Sequence, residues 1–168
     1  MKTRECVFGY GSLINMNQNF ELNDHSVRQG YPVKIMNLSR KWNVHGVDQT
    51  FLGVDYDQGS WCNGILFCVS DNELNLLDRR ERYYVRKHIE KTNIVFYNPD
   101  DERFLDQMHN IYFYETDPVY QCKAETHRIS MEYVKICRDG CDTIGDVFKS
   151  DFIDTTKGWD NMMKYWYN

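Results

Sequence analysis

The chain has 168 residues, of which 42% are hydrophobic and 15% aromatic, and a formal net charge of -5 at pH 7. That length suits a single domain over residues 1–168 with its own core, filled largely by Tyr, Phe and Trp. The negative balance and the absence of an uninterrupted basic run argue against a nucleic-acid partner, and no apolar run nears the roughly 20 residues that span a bilayer. Lys2 and Arg4 open the sequence, but the apolar part behind them is short and broken by Gly9, Gly11 and Ser12. It makes a poor signal peptide, so a soluble cytoplasmic protein is expected.

Residues 5–10 form the first strand, running into Gly9-Tyr10-Gly11-Ser12-Leu13. The two glycines permit backbone angles and close approaches closed to other residues. Successive amides in such a turn can converge into a small anion-binding hollow. Asn15 to Asp24 is polar, a short helix or an irregular connection. Tyr31–Trp42 and Val44–Tyr56 contain alternating segments that predict a pair of strands, with Gly46 marking a bulge or a close approach. Asn63–Val69 predicts a buried strand. Ser70 and Glu73 form a capping box that opens a helix over Asp71–Arg82. Strand character resumes over Tyr83–Tyr97, Asn98–Asp101 is a turn cluster, and Ile111–Glu115 is another strand, closed by Thr116-Asp117-Pro118. Ser130 caps a helix over Met131–Asp139, with Gly140 at or near its end. Gly145–Ile153 predicts a second short helix, and Trp159–Tyr167 an aromatic tail docked on the body. The order of elements indicates an α+β domain, with a closed sheet flanked by helices as one form of it.

Few residues carry chemistry on their own. The six cysteines (Cys6, Cys62, Cys68, Cys122, Cys137 and Cys141) contain no Cys-x-x-Cys pair and the five histidines are scattered, so no metal site is expected. Cys137 and Cys141, four apart, would share a helix face; that spacing favours two small buried residues over a redox pair. Gly9-x-Gly11 lacks the third glycine of a dinucleotide fingerprint, since Ile14 stands there, and no Gly-Lys-Ser/Thr follows it. On the helix from Asp71, Glu81 follows Leu74 by seven positions and falls within about 20° of it on the helix surface, at the end of the apolar stripe. An inward-turned carboxyl there would have a raised pKa and serve as a proton acceptor. Spacing alone favours the other reading, a frayed helix end with Glu81 paired to an arginine in solvent.

Three segments shift that balance. Gly9-Tyr10-Gly11-Ser12-Leu13 resembles the Tyr-Gly-Ser loop of the gamma-glutamyl cyclotransferase-like family. Leu77-Asp78-Arg79-Arg80-Glu81 is similar to its Leu-Asp-x-x-Glu segment, preceded by a matching Gly64-Ile65-Leu66-Phe67 strand. Ser130-Met131-Glu132-Tyr133-Val134 with Gly140-Cys141 resembles its tyrosine-bearing helix. The order is the family's, and the resemblance covers about residues 6 to 155. It implies a small mixed β-barrel flanked by helices, with no cofactor and no metal. It also implies an intramolecular reaction on a small γ-glutamyl substrate that releases 5-oxoproline. In that picture Glu81 is the catalytic acid/base, and Tyr10, Gly11, Ser12, Leu13 and Tyr133 bind substrate. Arg82, in place of the glycine often found after the glutamate, implies a tighter pocket wall. The Ser-Leu-Ile loop is nearer the ChaC-type and plant-type members, so the leaving group stays open. The alternative is an inactive member of the fold that binds a metabolite or a protein.

Overall fold

The computed structural model describes residues 4–16, 29–46, 49–121, 129–159 and 166. Most of the predicted 15–24 connection lies outside them, as do Cys122, His25 and His127. Strand β1 (Arg4–Gly9) sits in the middle of the sheet. It pairs antiparallel with β3 (Thr50–Val69) and parallel with β6 (Met108–Thr116). β3 pairs with β2 (Gly30–His45) in one long hairpin. β4 (Tyr84–His88) and β5 (Ile94–Phe96) form the two edges, giving the order β4-β6-β1-β3-β2-β5, and β7 (Thr156–Lys157) adds to β2.

Several expectations need correction here. Among the described residues no ladder joins β4 to β5, so the sheet is mixed but open, and the closed barrel does not form. The predicted Val44–Tyr56 strand straddles the hairpin turn: Gly46 N–H donates to Gln49 O at 2.8 Å, and Gly46 marks not a bulge but the close approach that was its other reading, since a Cβ there would stand 2.6 Å from the Phe51 ring. The β2–β3 register shifts instead at two places, Asn37 and Asn43; the φ of 66° at Asn37 is tolerated by Asn, and its side chain accepts from Gly59 N–H at 3.1 Å. The turn cluster at Asn98 opens a 3-10 segment, Pro99–Gln107.

The helices cover opposite faces because β1 alternates. Val7 faces a cluster with Leu13, Phe67, Leu74, Leu77 and Tyr114 beneath helix α1 (Asp71–Arg80). Cys6 and Phe8 face the larger core, which receives Val134 and Cys137 of α2 (Met131–Ile144) and Phe148 and Phe152 of α3 (Asp146–Thr155). Trp159 and Trp166 are both buried in that core. Gly140 does not end its helix. It lies buried within α2, where a Cβ would come 2.8 Å from Asn15 N, so its bareness lets the segment after the first loop pack against the helix. The helix ends at Gly145, with φ 136°. Cys6 and Cys68 lie opposite one another on β1 and β3 and form a disulfide, while Cys62, Cys137 and Cys141 are buried free thiols. Among the described residues no helix is long and apolar enough to cross a membrane.

Candidate functional site

β1 delivers its loop at the carboxyl end of the strand. Gly9 has no room for a side chain, because a Cβ would stand 2.7 Å from Leu13 Cβ. Gly11 caps a single 3-10 turn, Ser12–Ile14, closed by Ile14 N–H to Gly11 O at 3.0 Å and Asn15 N–H to Ser12 O at 3.1 Å. The amides at the front of such a turn have no internal partner. Among the described residues the N–H groups of Gly11 and Leu13 find no acceptor. Tyr133, at the start of α2, reaches over Gly11: a Cβ there would lie 2.6 Å from its hydroxyl oxygen.

α1 brings the carboxylate. Its capping box forms as expected, with Ser70 N–H to Glu73 Oε2 at 2.7 Å and Glu73 N–H to Ser70 Oγ at 3.3 Å. The helix stops at Arg80, two residues before the expected end, and Glu81 is its C-cap with φ -86° and ψ 48°. Glu81 N–H still donates to Leu77 O at 2.8 Å, and Glu81 O accepts from Tyr84 N–H at 3.0 Å. The cap therefore holds Glu81 on the stripe of buried Leu74 and Leu77 while turning the chain into β4. Burial raises the pKa of its carboxyl, and Arg80 opposes this only in part. The electronegative end of α1 acts in the raising direction as well. Among the described residues the carboxylate has no hydrogen-bond or ion-pair partner.

Both elements meet in one recess lined by Phe8, Tyr10, Gly11, Ser12, Leu13, Glu81, Tyr114 and Tyr133, with ≈ 290 Å³ of space, solvent at its mouth included. All six residues singled out from the sequence are gathered there; Phe8 and Tyr114 are additional. Arg80 donates to Ser12 Oγ at 3.4 Å and so ties the helix end to the loop. Tyr10 Oη donates to Tyr114 O at 2.5 Å, which leaves that hydroxyl only its lone pairs for a ligand. Tyr114 Oη in turn donates to Asp78 Oδ1 at 2.8 Å. Tyr10, Tyr84 and Tyr133 have pKa values raised well above the ordinary phenol, chiefly by burial, with the Glu81 charge adding to it. These hydroxyls therefore stay protonated at neutral pH.

Sequence reasoning missed Arg40. It is fully buried in β2, and donates to Tyr10 O at 3.2 Å, Asn63 O at 2.5 Å, Asn63 Oδ1 at 2.9 Å and Thr156 Oγ1 at 2.7 Å. Burial lowers its pKa, yet a guanidinium stays protonated at neutral pH. Its signal was its period-2 placement between Leu38 and Trp42, which share its face of the strand. Among the described residues no group of three or more His, Cys, Asp or Glu could hold a metal ion.

The comparisons with known proteins bear on the fold and on the family. Among solved structures, one described as gamma-glutamyl cyclotransferase matches with a TM-score of 0.64 at 14% identity, over 88% of this chain and 83% of that one. A yeast gamma-glutamyl cyclotransferase specific to glutathione matches at 0.61 and 14%, over 92% and 96%. An uncharacterized protein from Homo sapiens matches at 0.65 and 14%, over 89% and 85%. At such identities these likenesses establish the fold. No curated protein sequence matches the chain. The model of the family described as "Gamma-glutamyl cyclotransferase, AIG2-like" matches residues 7–133. Because that span takes in most of the chain and every residue that borders the recess, the chain belongs to the AIG2-like gamma-glutamyl cyclotransferase family.

Proposed function

We propose that the protein releases 5-oxoproline from a γ-glutamyl amine, amino acid or peptide, with Glu81 as the general acid/base. The observation that carries this reading is that the carboxyl of Glu81, without a partner among the described residues, and the Tyr10–Leu13 loop line one recess. The substrate's α-ammonium must lose a proton before its nitrogen can attack, and Glu81, with its raised pKa, accepts it. The amine then attacks the γ-carbonyl of the same glutamyl group. The tetrahedral oxyanion accepts hydrogen bonds from the Gly11 and Leu13 amides. Collapse breaks the bond to the leaving nitrogen, and Glu81 returns its proton there. The ring nitrogen sheds its second surplus proton, which the departing amine takes up to leave as an ammonium ion, so a neutral five-membered lactam and an ammonium result and Glu81 ends as the carboxylate it began as. Much of the acceleration comes from holding the γ-glutamyl chain folded on itself, and the walls formed by Phe8, Tyr10 and Tyr133 supply that constraint.

Incubating the purified protein with a panel of γ-glutamyl compounds, glutathione among them, and assaying 5-oxoproline tests the reading. Product from at least one compound, abolished in a folded Glu81→Gln variant, is the expected result. Calorimetric binding of these compounds without turnover would instead identify a binding protein built on the same fold.

A further inference from the structure

Arg40 has no relative exposure at all, yet every group that accepts from it is neutral. Besides Tyr10, Asn63 and Thr156 it donates to Phe152 O at 3.0 Å and Thr155 Oγ1 at 3.1 Å, and its Cζ lies 3.8 Å from the Phe152 ring centroid. Among the described residues it has no carboxylate partner. A buried charge is ordinarily paired, because its hydration is otherwise lost without return. A merely space-filling role would be met better by an apolar side chain of similar volume.

The bond to Tyr10 O supplies a reason. Tyr10 C=O and Gly11 N–H belong to one peptide unit, and in a trans peptide the two bonds point in opposite directions while their dipoles reinforce one another. With the carbonyl turned to Arg40, the amide faces away from it. Gly11 lines the recess, and among the described residues its N–H has no acceptor. A cationic donor on the carbonyl oxygen draws electron density through the amide and strengthens the N–H as a donor at the other end.

We propose that Arg40 is a positioning residue: it pins the Tyr10–Gly11 peptide with its carbonyl away from the recess and polarises it, so that Gly11 N–H becomes a strong donor to the oxyanion. The inference rests on the reaction proposed above for this recess. The guanidinium is itself held in place. Asn63 Nδ2 donates to Tyr97 Oη at 3.1 Å and to Phe148 O at 2.8 Å, which fixes the side chain that accepts from Arg40.

Two variants test it. Arg40→Lys keeps the charge but replaces the planar fork by a point donor that cannot serve this set of acceptors together. Thr155→Asp, at a partly exposed position, sets a carboxylate against the guanidinium and weakens its pull on Tyr10 O without removing the arginine. In ¹⁵N–¹H spectra of the full chain without substrate, the Gly11 amide proton is expected to move upfield in both, by more than the amides of Val7 and Phe8. With turnover as the readout, kcat is expected to fall about tenfold or more at a nearly unchanged KM. That is smaller than the roughly 10²–10³-fold loss from deleting an oxyanion donor outright. A folded variant of either kind with a parental Gly11 shift and a parental kcat overturns the proposal. If Arg40→Lys does not fold, Thr155→Asp decides alone. If the parent makes no 5-oxoproline, the reaction assigned above fails, and the amide shift still decides whether Arg40 polarises this peptide.

Discussion

Replacing Glu81 by Gln separates chemistry from folding in one experiment. Gln has the same shape. The main-chain bond from residue 81 to Leu77 O and the packing of Leu74 and Leu77 do not depend on the carboxylate. What disappears is a proton acceptor. General acid/base catalysis contributes roughly 10²–10⁴-fold, and at about 1.36 kcal/mol per decade the barrier rises by about 2.7–5.4 kcal/mol. Stability moves the other way. The folded-state pKa of Glu81 is raised by burial, so the unfolded chain releases this proton at lower pH than the folded one. Between the two values the unfolded state binds fewer protons, and stability falls as pH rises. The penalty is absent below the unfolded value of about 4.3 and complete above the folded one. Glu81→Gln escapes it, so the variant should be more stable than the parent at pH 7 to 8, and the gain should vanish near pH 4. Urea unfolding of both proteins across this range, beside a 5-oxoproline assay, reads the two effects together. A variant that turns over at the parental rate, or a stability difference flat with pH, refutes the reasoning.

Three further outcomes follow from the site. The kcat/KM profile should have an acidic limb that lies above the usual carboxylate range, activity rising with pH as Glu81 deprotonates, and the limb should be missing from any residual activity of Glu81→Gln. Gly11→Ala drives a methyl toward Tyr133 Oη and should cost about 1–3 kcal/mol of stability; adding Tyr133→Phe removes the opposing oxygen, so a double-mutant cycle in urea should show a favourable coupling. Cys137→Ala with Cys141→Ala should leave 5-oxoproline formation intact, since burial pushes both thiols up, Cys141 to about 12, and neither lines the recess; loss of turnover in a folded double variant would assign them a chemical role.

Much of this was legible in the residues, for identifiable reasons. The Ser70–Glu73 box fixed the start of α1 because both partners are local. Its end was placed two residues late, since the helical stripe through Leu74, Leu77 and Glu81 continues on paper past the point where Glu81 turns the chain out. Gly140 was read as standing at or near the end of its helix, and it lies about one turn before it, but its bareness answers to Asn15 across the fold, a contact no local window contains. The hairpin turn at Gly46 was hidden because alternation carries on through it from β2 into β3. Glu81 and the loop were assigned to one site only through family resemblance; spacing alone pointed to solvent. Arg40 escaped because charge in a strand ordinarily marks the wet side, and what reverses this here, the carbonyls and hydroxyls of Tyr10, Asn63, Phe152, Thr155 and Thr156, comes from four other parts of the chain.

Arg40 also bears on the order in which the molecule can be completed. The guanidinium joins Tyr10 to Phe152 and Thr156, positions 112 and 116 residues from Arg40 itself. During synthesis the first loop leaves the ribosome well before Phe152 and Thr156, so its clamp lacks two of its walls until they too have emerged. Closing such long spans is slow. A nascent chain halted before residue 152 would hold the loop's sequence and the Glu81 carboxyl, and still lack the anchor that sets the loop's shape.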